Sequence, residues 1–317
     1  MKIGNLSFAV PIFLAPMAGV TDRAYRILAH ELGCSLVFSE MVSASGIGYR
    51  NEHTLAMLET DAGEHPIAIQ LFGHDPKRAA QAAAFVEELG AADIIDFNMG
   101  CPAPKIVGNG DGCALMKTPE LAGEIMKALK RAVSLPVTVK MRLGWDDDSV
   151  NVLDLAKRAE DAGVDAIAVH GRTRRQFYSG NADWKRIAEV VEAVSIPVIA
   201  NGDVRTVDDF DRICKVTGAA GVMIGRAAQG DPWVFQRMRA YFERGERLPM
   251  PTPAQRRELV LRHLDMLIAY KGEYIGIREM RRHATWYTRG LLGSARLRER
   301  FNRAESREDF ESILADL

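Results

Sequence analysis

Two rhythms of hydrophobic residues alternate along this chain. Short runs of consecutive apolar and β-branched residues are separated by longer stretches in which apolar positions return every three or four residues. The short run fits a strand buried on both faces, and the longer period fits a helix with one buried face. Eight runs stand out: 12–15 (IFLA), 36–39 (LVFS), 67–71 (IAIQL), 93–98 (DIIDFN), 137–142 (VTVKMR), 165–170 (DAIAVH), 196–201 (IPVIAN) and 220–225 (AGVMIG). Helical periodicity fills 22–32, 76–89, 119–133, 150–162, 183–194 and 206–217, whereas 40–65 is less regular.

The joints between elements repeat as well. Gly90, Gly163 and Gly218 each follow a helical stretch, where a left-handed stop favours glycine, and Pro136 and Pro197 lead into strands. Eight such units over about 225 residues predict a (β/α)8 barrel, a fold that typically takes ~250 residues, with a doubly wound open sheet as the alternative. From 232 to 250 the rhythm fails and the chain runs into Leu248-Pro249-Met250-Pro251-Thr252-Pro253. This segment reads as a linker, because proline suits neither a helix interior nor a central strand. Beyond it, 254–271, 277–290 and 306–316 are amphipathic with no strand signal. The predicted organisation is a barrel over 1–245 followed by a small all-helical domain over 246–317.

Composition narrows the class. With 317 residues and 47% hydrophobic content the chain can bury a large core. No stretch approaches the ~18 apolar residues of a membrane span, and Met1-Lys2-Ile3-Gly4 lacks the apolar core of a secretion signal, so a cytoplasmic protein is expected. The four cysteines, at 34, 101, 113 and 214, form no Cys-x-x-Cys pair, no His-Glu-x-x-His motif occurs, and the acidic run Asp146-Asp147-Asp148 reads as a solvated loop, which predicts reduced thiols and no metal site. The net charge of −1 is unevenly spread: Arg237 to Arg303 holds 16 Lys or Arg against 7 Asp or Glu, a balance of +9 that leaves −10 elsewhere. The C-terminal part is thus either a surface for a polyanion or a set of solvated, ion-paired helices.

In a (β/α)8 barrel the strands' C-terminal ends converge on one site, so the polar residues there can be read together. Pro16, Met17 and Ala18 follow the first run. Gln70 lies in the third, Asn98 closes the fourth, and Cys101 follows it in a sharp turn made by Gly100 and Pro102. Lys140 and Arg142 lie in the fifth, and His170 closes the sixth. The seventh ends in Asn201-Gly202-Asp203 and the eighth in Gly225-Arg226. Gly202, Gly225 and Arg226 are suited to a phosphate, which binds there in many such barrels. Lys140 and His170 need a ligand or an internal carboxylate to offset their burial. Flavin mononucleotide (FMN) meets both demands, with Lys140 as the cation near its pyrimidine edge and Gln70 facing its amide-like edge. The run Gly108-Asn109-Gly110-Asp111-Gly112 lacks the spacing of a nucleotide loop and is read as a mobile lid.

These motifs, in this order, resemble the tRNA-dihydrouridine synthases, in particular the bacterial B-type members, over nearly the whole chain. Ala15-Pro16-Met17-Ala18-Gly19-Val20-Thr21-Asp22, Asn98-Met99-Gly100-Cys101-Pro102, Lys140-Met141-Arg142, His170-Gly171-Arg172-Thr173 and Asn201-Gly202-Asp203 carry the likeness, with Arg281-Arg282-His283 and Trp286-Tyr287 as its C-terminal signature. The resemblance implies an oxidoreductase with FMN as cofactor, NADPH as reductant and tRNA as substrate. It implies that Cys101 is catalytic, protonating C5 of a uracil that receives hydride at C6. It also implies that Pro16, Met17, Ala18, Gln70, Lys140, Asn201, Gly202, Asp203, Gly225 and Arg226 hold FMN with His170, and that Asn98 lies against the uracil. Arg142, Arg172 and Tyr178 near the barrel rim, and Arg281 and Arg282 in the helical part, are the expected substrate contacts. Cys113 departs from the family pattern, which has a small non-thiol residue there. The alternative functions are a flavin barrel acting on a free pyrimidine and a non-catalytic RNA-binding protein.

Overall fold

The computed structural model describes residues 1–317 and shows a parallel barrel. Its strands are β1 (Ile12–Leu14), β2 (Val37–Phe38), β3 (Ile67–Phe72), β4 (Ile94–Met99), β5 (Val137–Arg142), β6 (Ala166–His170), β7 (Val198–Asn201) and β8 (Gly221–Ile224). Each pairs in parallel with its neighbours, and β8 returns to β1 through Val222 opposite Ile12. Between β1 and β2 the ring is closed by a single parallel bridge, Phe13 to Leu36. A two-residue strand, Val42–Ser43, resumes the pairing with β3 after β2 ends.

Alternation along the strands separates two cores. Side chains facing outward pack against helices in the main hydrophobic cluster. Those facing inward form a smaller core with Phe13, Leu36, Phe38, Ala68, Ile94, Ala166, Ala168, Ile199 and Met223, joined by Ile3 and Phe8 from the N-terminal hairpin. Phe8 meets Phe13 edge-on at 5.2 Å, so the hairpin covers the end of the barrel opposite the strands' C-termini. The open end is left for chemistry.

The helices around the barrel are α1 (Arg23–Glu31), α2 (Pro76–Glu88), α3 (Pro119–Ala132), α4 (Val152–Asp161), α5 (Trp184–Ala193), α6 (Val207–Thr217) and α7 (Trp233–Arg244). The last corrects the sequence reading, which placed a linker from 232. The Gly-Asp-Pro turn before Trp233 breaks the rhythm, yet Trp233, Val234, Phe235, Met238 and Ala240 bury one face, and Gly245 at φ 68° ends the helix. Only 246–252 is irregular. Between β2 and β3, two short helices (Ala44–Gly48 and Glu52–Ala56) stand where a full helix is absent.

The C-terminal part has four helices, α8 (Pro253–Lys271), α9 (Glu273–Tyr287), α10 (Ser294–Arg303) and α11 (Arg307–Leu314). The sequence reading missed α10, whose arginines hide a helical period carried only by Leu297 and Phe301. A separate apolar cluster, including Val260, Leu264, Met280, Tyr287, Phe301 and Phe310, holds these helices together and takes in Ala24 of α1 and Trp233 of α7. The helical part therefore sits on the side of the barrel near α1.

At that junction Gly230 has φ 74°, and a Cβ there would lie 2.2 Å from the carbonyl carbon of Trp286. Gly90 has a similar φ of 64° but open space around it. Gly90→Ala is expected to cost about 1–2 kcal/mol, the left-handed penalty alone. Gly230→Ala is expected to cost more, because the Trp286 backbone must also move. Urea unfolding of the two variants checks this, and equal losses would contradict the close packing at Gly230.

Candidate active site

The pocket floor is built from polar residues that occupy inward positions on β3, β4 and β5. Asp96 is fully buried; its Oδ1 accepts from the Thr138 hydroxyl at 2.6 Å and its Oδ2 from the Gln70 amide at 2.7 Å. Gln70 Oε1 in turn accepts from Asn98 Nδ2 at 2.8 Å, and Asn98 Oδ1 accepts from the backbone N–H groups of Gly100 (3.0 Å) and Cys101 (2.9 Å). Four side chains thus fix the orientation of the turn that carries the thiol. Burial pushes the Asp96 carboxyl up to about 7, against the lowering by the Thr138 and Gln70 bonds and by Lys140.

Lys140 faces the same cavity and has no hydrogen-bond or ion-pair partner in the protein. Burial first, and then the neighbouring Arg142, brings its ammonium down to about 8. Arg142 donates through Nε to the Gly100 carbonyl (3.0 Å) and through Nη1 to the Thr173 (2.9 Å) and Phe177 (2.7 Å) carbonyls, bracing the loops after β4 and β6, while its Nη2 makes no hydrogen bond. His170 is held well below its usual range by burial, reinforced by the cations Lys140, Arg142, Arg172 and Arg226, and is therefore neutral. Burial raises the Cys101 thiol, with the Ala103 backbone and the same two β5 cations pulling the other way. The thiol is protonated near neutral pH.

At the ends of β7 and β8 the backbone is shaped for close approach. Gly202 has φ 122°, and a Cβ there would lie 2.7 Å from Ala182 Cβ and 3.0 Å from the His170 ring. Asp203 accepts from Arg172 at 2.6 Å, from the Ala182 N–H at 2.7 Å and from Arg226 at 3.0 Å. Arg226 also lies over the Tyr178 ring at 4.6 Å. Asn201 Nδ2 donates to the Met223 carbonyl at 2.8 Å, tying β7 to β8. A cavity of about 300 Å³ opens between these groups and the Ala15–Ala18 segment, with Cys101, Lys140 and Tyr178 all on its walls.

The sequence profile of the dihydrouridine synthase family matches residues 13–316. The chain belongs to the dihydrouridine synthase family. A probable tRNA-dihydrouridine synthase of Rickettsia conorii is 45% identical over 305 residues, spanning 95% of this chain and 91% of that protein. tRNA-dihydrouridine synthase B of Pseudomonas aeruginosa is 42% identical over 305 residues, with 96% and 92% covered. Among solved structures, histamine dehydrogenase from Rhizobium sp. 4-9 aligns at a TM-score of 0.59 with 13% identity, over 84% of this chain and 50% of that one. An old yellow enzyme homologue from Zymomonas mobilis aligns at 0.54 with 12% identity, over 81% and 94%. At such identities these two share the barrel fold with this dihydrouridine synthase family member.

Pro16, Met17, Ala18, Gln70, Asn98, Cys101, Lys140, Arg142, His170, Tyr178, Asn201, Gly202, Asp203, Gly225 and Arg226 all line that one cavity. Arg172, Arg281 and Arg282 do not. Arg172 is 1% exposed and donates to Ser179, Gly180 and Asp203, so the expectation that it meets RNA is corrected: its donors are spent inside the protein. Arg281 gives Nε–H to the Ala304 carbonyl at 2.8 Å and holds α9 to the end of α10. Arg282 is exposed, lies over Trp286 and donates to the Gly19 carbonyl at 2.5 Å, linking the helical part to the loop after β1. The glycine-rich run is also not a free flap. Cys113, just after it, is fully buried and donates its N–H to the Cys101 carbonyl at 3.1 Å, and a Cβ on Gly112 would lie 2.8 Å from that oxygen.

Sequence reasoning missed Asp96 and Thr138, although a signal existed. In DIIDFN and VTVKMR every second residue faces inward, which puts Asp96 with Asn98, and Thr138 with Lys140 and Arg142, on the pocket side. Because the Cys101 thiol is raised by burial, its alkylation by iodoacetamide should be slower than that of a free cysteine at neutral pH and should accelerate as pH rises through and beyond the ordinary thiol range. Mass spectrometry of the Cys101 peptide measures this, and rapid labelling at neutral pH would show a thiolate instead.

Proposed function

We propose that this chain reduces specific uridines of tRNA to 5,6-dihydrouridine, with FMN as the bound cofactor and NADPH as the source of electrons. The observation that carries this reading is the cavity in which an unpartnered lysine, a glycine-lined rim backed by Arg226 and a protonated thiol come together. Those residues fit FMN: Lys140 supplies the missing cation for an electron-rich pyrimidine edge, Gln70 keeps one amide N–H uncommitted, and the Gly202 and Gly225 backbone with Arg226 suits a phosphate. Bound FMN would supply hydride to C6 of the uracil. Cys101 then acts as general acid, giving its proton to C5, and the raised thiol is in the right state to do so. Asn98 sets where that thiol stands by holding the Cys101 N–H. Neutral His170 donates or accepts one hydrogen bond without adding charge to a site already rich in cations.

A polynucleotide substrate is supported by an arginine-rich surface on the C-terminal helices. Arg278, Arg282, Arg289, Arg296 and Arg298 are exposed on α9, α10 and the turn between them, and no carboxylate lies within 4 Å of any of them. Many other arginines of the +9 segment are internally paired, for example Arg237 with Asp231 and Arg262 with Glu31 at 2.6 Å. A uridine stacked inside folded RNA must leave the stack to enter such a pocket, and the loose arginines can grip the phosphates around it.

Two measurements test the assignment. In Cys101→Ala, flavin reduction by NADPH should stay near the parent rate while single-turnover transfer to tRNA falls by about 10²–10⁴, the range for loss of a general acid. The reverse pattern in stopped-flow traces would remove Cys101 from the proton step, and turnover of free uracil with no effect on tRNA would favour a small-molecule flavin oxidoreductase. The second concerns pH. An anionic ligand prefers the protonated ammonium, and Lys140 titrates at about 8, so affinity for reduced, anionic flavin should weaken as pH rises through about 8. Lys140→Met should bind more weakly below that pH and lose the step, as followed by anaerobic flavin fluorescence.

A further inference from the structure

Away from the pocket, the loop after β1 meets α8 and α9 through three buried ionisable residues. Asp22 caps α1, accepting the Tyr25 N–H at 3.0 Å through Oδ1, and its side chain has no lysine or arginine within 4 Å. Lys271, whose charge reaches Asp22 at longer range, is paired with Glu279 at 2.6 Å. His263 and His283 are both fully buried. Nε2 of His283 lies 3.4 Å from Asp22 Oδ2, Nε2 of His263 lies 4.0 Å from Oδ1, and the ligand atoms of all three residues fall within 4.8 Å of one another. His263 Nε2 and both ring nitrogens of His283 have no hydrogen-bond partner.

We propose that Asp22, His263 and His283 form a site for a divalent transition-metal ion of the zinc class. A buried carboxylate without a cation and imidazole nitrogens without partners are each costly, and one cation between them satisfies the carboxylate and both Nε2 atoms together. Zinc bonds of about 2.0–2.2 Å to nitrogen and oxygen put tetrahedral ligands roughly 3.3–3.5 Å apart, so the His283–Asp22 spacing of 3.4 Å already matches, while His263, with its Nε2 4.0 Å from Asp22 Oδ1, must move inward to join. His263 Nδ1 lies 3.2 Å from the Tyr287 hydroxyl. That contact is the outer hydrogen bond that typically orients a ligating histidine, and with Nδ1–H donated to Tyr287 the Nε2 lone pair points toward Asp22. Two imidazoles and one carboxylate suit zinc, cobalt or iron rather than magnesium or calcium.

The site's position defines its task. Asp22 ends the segment that begins at Pro16 on the cavity wall, and the two histidines sit on helices of the C-terminal part, so the metal would tie the pocket loop to those helices. Its ligands come from opposite ends of the chain and meet only when the helices dock, which couples metal binding to folding. The Tyr25 and Tyr287 rings lie within about 6 Å of the histidine rings, at 5.8 and 6.0 Å for Tyr25 and 5.9 Å for Tyr287, so aromatic side chains flank the site.

The test uses the full chain, purified without chelator and assayed by mass spectrometry of metals, then stripped and titrated with Co²⁺. A single equivalent retained per chain, with visible bands of a low-symmetry Co²⁺ ion and no thiolate charge-transfer band, is expected. His283→Gln should abolish it, and Tyr287→Phe should weaken it by about 10- to 100-fold. Zn²⁺ should raise the thermal midpoint of the stripped wild-type protein but not of His283→Gln. Failure of the folded wild-type protein to retain Co²⁺ or Zn²⁺ would overturn the proposal and leave an imidazolium–carboxylate pair, as would equal binding by folded His283→Gln. The wild-type titration decides the matter even if the variant does not fold.

Discussion

A carboxylate in the middle of the barrel organises the pocket. Asp96 takes hydrogen bonds from Thr138 and Gln70, so the Gln70 amide can present only its oxygen to Asn98. Asn98 can then present only its own oxygen to the Gly100 and Cys101 amides. Each amide orientation follows from the one below it, and the thiol's place follows from the last. Such a chain is stable only if every member is satisfied, because an orphaned donor at this depth costs about 1–3 kcal/mol. Burial works against the charge on Asp96, and Lys140 on the next strand offsets it. The same lysine is left facing the cavity, so the interaction that builds the floor also creates the demand for an anionic or electron-rich ligand above it.

Around that floor the cations are divided by what they touch. Arg172 is buried and spends its donors on backbone carbonyls and Asp203, and Arg142, also buried, braces the loops through Nε and Nη1. Lys140 and Arg226 keep a face toward the cavity. Asp203 has two arginines, and although burial would raise its carboxyl, they and the Ala182 amide keep it low, so it holds Arg226 in place as an anion. The positive field is therefore concentrated inside the pocket, and a second, separate one lies on the unpaired arginines of α9 and α10. One field suits a small phosphorylated cofactor, the other a long phosphate backbone.

Much of the barrel could be read from the sequence because parallel strands buried on both faces leave continuous apolar runs, and glycines 90, 163 and 218 do adopt the left-handed stop that their positions suggest. Residues at strand ends were legible for the same reason: the fold alone brings them together. Other features depend on contacts between distant parts of the chain. Arg172 looks like a rim arginine until Asp203 folds over it, and α10 looks like a charged loop until Leu297 and Phe301 find Phe310 and its neighbours. Asp22, His263 and His283 share no local motif. Asp96 is different, since its alternation with Asn98 was on view, but a lone acid in an apolar run says nothing until its partners on β3 and β5 are known.

The barrel ring is not equally strong all the way round. Seven of its joints are runs of paired residues, while β1 and β2 meet at one bridge, Phe13 to Leu36. Thermal opening will concentrate where the fewest bonds must break, so amide protons at this seam, such as those of Leu14 and Ser35, should exchange with solvent sooner than those at the centres of β4 and β5. The segment Ala15–Ala18 on the cavity wall hangs from the weaker side. The weakest seam of the barrel thus lies beside its pocket, opposite the wall that carries Lys140 and the support of Cys101.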